Sequence, residues 1–177
     1  MSRRIRALGA LLATAALLAG CAQAPGTAAV VNGERITEND VADASATFEA
    51  LLGSAPNVSA VLDALVKEKI VVPVAAEFDL KASDSEVIAY FNDYVASQGG
   101  EPLAEDQFSE AGLAAGRYLV LMGDTQAHAD VLTISDQMIV AFRDADITVN
   151  PRHGSYDQDG LLTATTFPWI HTVAAVG

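Results

Sequence analysis

Few side chains here have the nucleophilicity or metal affinity that chemistry needs, and their spacing keeps them apart. His128, His153 and His171 are far from one another, and none has a second histidine or a cysteine three or four residues on. Zinc-type sites draw on such close pairs, so no metal-ligand motif is present. Residues 155–160 read Ser-Tyr-Asp-Gln-Asp-Gly, like the start of a calcium loop. Ser155 stands where that loop has an acid, however, and Thr166 where its closing glutamate belongs, so a turn is the simpler reading. Serine, histidine and aspartate all occur, yet no Gly-x-Ser-x-Gly frames a nucleophile. No catalytic residue, metal ligand or cofactor site is expected. One reactive group remains, Cys21, the only thiol of the chain, which has no partner for an internal disulfide.

The residues before Cys21 give that thiol a role. Arg3, Arg4 and Arg6 precede an apolar run over 7–19, and small residues follow. A positive end, a short apolar middle and a small-residue junction make a secretory signal peptide. The run is too short to stay in a bilayer as a spanning helix. Leu18, Ala19, Gly20 and Cys21 resemble the lipobox of bacterial lipoproteins. The resemblance implies that the Cys21 thiol receives a diacylglycerol and that cleavage before it makes Cys21 the first mature residue. The expected location is the extracytoplasmic face of the cell membrane, anchored by lipid.

Charge narrows the partners. The 177-residue chain carries a formal −13, and removing residues 1–20, with three arginines and no acid, takes this to −16. Phosphate backbones would be repelled, so nucleic acid is not an expected partner. Anionic lipid headgroups would repel the domain too, which leaves anchoring to the lipid on Cys21. No stretch after Cys21 is long and apolar enough to span a membrane.

The elements follow in order. Residues 22–28 are small and contain Pro25 and Gly26, a tether. Residues 29–31 are a short strand, and Asn32-Gly33 is a turn, since both residues tolerate positive φ. Thr37 caps a helix with acids in its first turn, running to about Leu52 and ended by Gly53. Asn57 or Ser59 opens a second helix, with Val58, Val61, Leu62, Leu65, Val66 and Ile70 at helical spacing. Pro73 predicts a kink or an early end there. Ser83 to Glu86 is a capping box, opening a helix that stops near Gly99-Gly100. Helical signal returns over 105–129, weakened by glycines. Gly112 and Gly116 have a membrane-helix contact spacing, but Arg117 argues for close packing in a soluble helix. Ser135 is expected to cap a last helix over 136–143, with Met138, Ile139 and Phe142 inward. Residues 145–150 then alternate as a strand. Two short strands at opposite ends of a helical chain predict pairing of 29–31 with 147–149, with Ile147 and Val149 buried against Val30 and Val31. Beyond Pro151 the chain reads as loop-rich, with Arg152 and Tyr156 anchoring the tail against the strand pair.

Residues 31–37, Val-Asn-Gly-Glu-Arg-Ile-Thr before a helix, resemble the opening of SurA/PrsA/trigger-factor-type chaperone domains. Residues 62–70 with Ala75, Leu80 and 83–87 resemble that family's core helix pair. Residues 147–154 resemble the closing strand of SurA N-terminal-like lipoproteins of actinobacterial type. The resemblance covers about 29–157. It implies a mainly α domain closed by a two- or three-stranded β pairing of its ends, which holds unfolded or exported polypeptides. The expected organisation is a signal peptide over 1–20, a tether over 21–28, the helical domain over 29–157 and a tail over 158–177.

Relatives of this type often carry a parvulin prolyl isomerase domain. Only 40 residues lie between 105 and 144, and 26 follow Pro151, so no such domain fits and no isomerase activity is expected. Tyr90, Phe91, Tyr94 and Phe108 are candidates to line a client groove, unless they are simply core. The alternatives are an envelope lipoprotein that keeps the fold for a structural or interaction role, or a remnant of a prolyl isomerase.

Overall fold

A computed structural model describes residues 24–156, 160, 162 and 163. Leu18, Ala19, Gly20, Cys21, His171 and most of the tail lie outside the described residues.

The first strand, β1 (Thr27–Val31), turns at Asn32 and Gly33 into β2 (Glu34–Thr37). Both turn residues take positive φ, 51° and 85°, the geometry that matches the twist of an antiparallel hairpin. Thr37 then caps α1 (Glu38–Leu52). Its hydroxyl accepts from the Asp40 amide at 3.0 Å, and the Asp40 carboxylate accepts from the Thr37 amide at 2.7 Å. Gly53 ends the helix at φ 69°, its amide donating to Glu49.

Asn57 caps α2 (Val58–Glu77). The early end expected at Pro73 does not occur, because the helix continues four residues beyond it. Pro73 is exposed and removes one backbone hydrogen bond, while Val71, Val74 and Ala75 around it are buried. Packing on both sides of the proline outweighs the missing bond. Ser83 caps α3 (Asp84–Ser97) with the expected box, closed by Glu86.

The 105–129 segment is not one helix. A single 3-10 turn over Glu105–Gln107 precedes α4 (Glu110–Ala127), which Ser109 caps. Ser109 also meets the Thr47 hydroxyl at 2.9 Å, so the start of α4 is fixed from α1. The last helix, α5 (Val131–Asp144), begins at the Asp130 cap and not at Ser135, which lies inside it. Ile134 is fully buried, and seating it draws the preceding turn into the helix.

Strand β3 (Ile147–Val149) returns to β1. The sheet order is β2-β1-β3, all antiparallel, with Ala29 opposite Val149 and Val31 opposite Ile147. The chain is therefore mainly helical and closed by a three-stranded sheet of its two ends. Ile147 and Val149 are half-buried, not buried as expected, because β3 is an edge strand. A second hairpin follows where loop was expected: β4 (Ser155–Tyr156) pairs with β5 (Leu162–Thr163).

Helix α2 lies at the centre, packed against α1, α4, α5 and the sheet. Two glycines on α4 set the close approach. A Cβ at Gly112 would lie 2.5 Å from the Thr47 hydroxyl on α1, and one at Gly116 would lie 2.6 Å from Phe91 and Val87 on α3. This is the close packing that the Gly112/Gly116 spacing predicts for a soluble helix.

Candidate functional site

The four aromatic candidates do not form a groove. Phe91 and Phe108 are core, each 7% exposed, and Phe91 stacks edge-on with Phe48 at 5.6 Å. Tyr90 and Tyr94 stand half-exposed on the outer surface of α3. Tyr90, Phe91 and Tyr94 share α3, whose turn sends Phe91 inward and the two tyrosines outward, while Phe108 lies off that helix, just before α4.

A hollow among the described residues lies elsewhere, between α2, α4 and α5. It is an open cleft of about 510 Å³. Val71 on α2 and Tyr118 and Met122 on α4 form one wall, and Met138, Ile139 and Phe142 on α5 form the other. Gly160 closes an end, pressed on the Phe142 ring so that a Cβ would lie 2.8 Å from it. Phe142 in turn packs against Tyr156 at 5.5 Å.

Helix α5 presents more apolar surface than this domain covers. Leu132, Ile139 and Val140 are 79%, 51% and 54% exposed. Ile139, expected inward, stands at the rim of the cleft, because Ile134, Met138 and Phe142 occupy the inner face. The signal for this was present in the sequence. Residues 131–142 carry Val131, Leu132, Ile134, Met138, Ile139, Val140 and Phe142, an apolar surface wider than the single stripe that one core contact needs.

Two cations meet the cleft, Lys67 from α2 and Arg143 from α5. Lys67 donates to Asp63 at 2.7 Å, and the Tyr156 hydroxyl donates to the other Asp63 oxygen at 2.7 Å. Burial, reinforced by the Asp63 carboxylate, pushes the Tyr156 phenol well above its ordinary pKa of 10.0. Tyr156 thus anchors the segment after β3 to α2, not to the strand pair as expected, because its hydroxyl finds the Asp63 carboxylate and its ring finds Phe142.

The remaining polar groups serve the fold. Glu68 is buried between Arg117 at 2.8 Å and Lys69 at 3.6 Å, and Arg117 also reaches Asp84 at 2.8 Å. Burial alone would depress Lys69; the Glu68 and Glu34 carboxylates outweigh it and hold the ammonium above its ordinary pKa. His153 bridges both Glu38 oxygens at 3.0 and 3.1 Å, and Arg152 lies 3.6 Å from the same carboxylate. This latch ties the chain after β3 to the start of α1. His128 accepts from the Asp130 amide and rests on Phe78. Among the described residues no group of three metal-ligating side chains gathers. No helix among them is long and apolar enough to cross a membrane.

Comparison of the chain with protein families, with characterised proteins and with solved structures finds no match.

Proposed function

We propose that this chain is a lipid-anchored, extracytoplasmic protein that holds unfolded or exported polypeptides and catalyses nothing. One observation supports the holding role above the others: α5 leaves Leu132, Ile139 and Val140 in solvent beside an apolar-walled cleft. Contiguous exposed apolar residues on a small domain commonly mark contact with another chain. Methionines at such a surface suit clients of varied sequence, because the thioether adapts its shape; here Met122 and Met138 line the walls. The anchor rests on the Leu18 to Cys21 junction, and Cys21→Ala is expected to abolish partitioning into detergent. The non-catalytic reading rests on use of the chain: residues 105–144, too few for a parvulin domain, are taken up mainly by α4 and α5.

The test is suppression of aggregation of a denatured client by the full chain carrying Cys21→Ala. Protection is expected for basic clients before acidic ones, and salt should narrow the difference by screening the charge of −16. No protection of either would leave the envelope interaction protein as the better reading. Isomerisation of a proline peptide above background would overturn the non-catalytic half.

A further inference from the structure

Among its described lining residues the cleft carries cations in a chain that is otherwise acidic. Acids outnumber bases 23 to 10 in the chain, yet the ten described residues lining the cleft include two bases and no acid. Lys67 gives one of its three donors to Asp63. Arg143 is exposed and makes no ion pair among the described residues. Between these cations the walls are apolar and adaptable, with Met122, Met138, Phe142 and Ile139.

A cleft of about 510 Å³ lies within the 300–1,000 Å³ range of small-molecule sites, which combine apolar walls with a few oriented polar groups. From this complementarity we infer that the cleft binds a single-chain fatty acid, the alkyl chain between α4 and α5 and the carboxylate at Arg143 and Lys67. The guanidinium offers two parallel donors in the fork that a carboxylate accepts, and the ammonium, paired with Asp63, adds a further donor. The Asp63 carboxylate, held by Lys67 and Tyr156, offsets the Lys67 charge, so the net charge offered to the ligand is that of Arg143. The inference stands apart from polypeptide holding, since the ligand is small and charged at one end.

The test uses the full chain carrying Cys21→Ala and a conjugated-polyene fatty acid whose fluorescence rises in apolar surroundings, kept below micelle formation. Saturable one-to-one binding is expected, displaced by palmitate and not by a cationic surfactant of equal chain length. Arg143→Gln should weaken the fatty acid about tenfold, as expected for loss of one charge-assisted contact, and leave the matching fatty alcohol unchanged. Because Arg143 is exposed, this variant should fold, which its helical circular dichroism checks. Ile139→Ser should weaken acid and alcohol alike.

Absence of saturable binding, displacement by the cationic surfactant, or unchanged affinity in Arg143→Gln would overturn the inference. So would binding that appears only after truncation at Thr163, which would make the chain's own C-terminal residues the occupant. Client protection by a chain that binds no fatty acid would sink this inference alone. Fatty-acid binding without client protection would sink polypeptide holding alone.

Discussion

Helices α2 and α5 are both rich in large aliphatic residues, yet the fold treats them in opposite ways. Ten of the twenty residues of α2 are buried, on all sides, because α1, α4, α5 and the sheet surround it. One of the fourteen residues of α5 is buried. Its neighbours are α2 and α4 and, through Phe142, Tyr156 and Gly160, while Leu132, Ile139 and Val140 stay exposed. An apolar residue of α2 therefore contributes to stability through the water it excludes, roughly 25 cal/mol per Å². An apolar residue on the outer face of α5 contributes almost nothing to folding and is available to a second molecule. The same composition thus gives a core in one place and a contact surface in the other.

Removing the enclosure of α2 should have the largest effect. Truncation after Asp144 deletes β3, uncovers the edge of β1 and removes the His153–Glu38 and Tyr156–Asp63 ties. The loss should amount to several kcal/mol, a large share of a typical domain's stability. Loss of cooperative thermal unfolding is the expected readout, and an unchanged melting temperature would contradict the enclosure.

Gly116→Leu tests the same enclosure from within. Its side chain would have to occupy the space of Phe91 and Val87. Overpacking of this kind costs about 1–3 kcal/mol, measurable as a lower urea midpoint, whereas Gly123→Leu, with open space around it, should not lower the midpoint by overpacking.

Alkali should weaken the border between the two regions. The folded chain keeps the Tyr156 proton above pH 10, where the unfolded chain releases it, and Lys69 likewise holds its proton above its ordinary 10.5. Their stabilisation is fully present below those values and declines as pH rises through them. Tyr156→Phe should flatten that decline and lower stability at pH 7 by about 1–2 kcal/mol through loss of a hydrogen bond to a carboxylate. A urea series from pH 7 to 11 measures both, and an equally steep decline in the variant would argue against the assignment.

The smallest effect on folding sharpens the comparison most. Leu132→Ser with Ile139→Ser should change stability by no more than about 0.5 kcal/mol each, as exposed substitutions do, and yet reduce client protection. A pair that lowers the melting temperature strongly would mean that α5 is covered on both faces.

Much of the fold was legible because its signals are local. The Asn32-Gly33 turn, the Thr37 and Ser83 capping boxes and the Gly53 stop depend on residues within four positions of one another. The pairing of 29–31 with 147–149 was legible for a different reason: two β-patterned segments in a helical chain have no other partners in its first and last parts. The start of α5 was not legible, since Ser135 is a good cap by type and only the burial of Ile134 displaces it. Whether α2 would kink or end at Pro73 stayed open in the sequence, and packing beyond the proline, which offsets the missing hydrogen bond, decides that it does not end. The β4–β5 hairpin was not legible either, since its two-residue strands carry no period.

The cleft shows the same division. Sequence alone determined the thiol at Cys21 and its junction, the one-signed charge, the helical class and the presence of too many apolar residues on 131–142. Only the tertiary structure decided that Phe91 and Phe108 belong to the core while Ile139 faces solvent, and that Lys67 and Arg143, 76 positions apart, meet at one cleft. Caps, turns and charge are fixed by neighbours along the chain. Which side of an apolar helix is covered depends on what packs against it from elsewhere, and no window of sequence contains both partners.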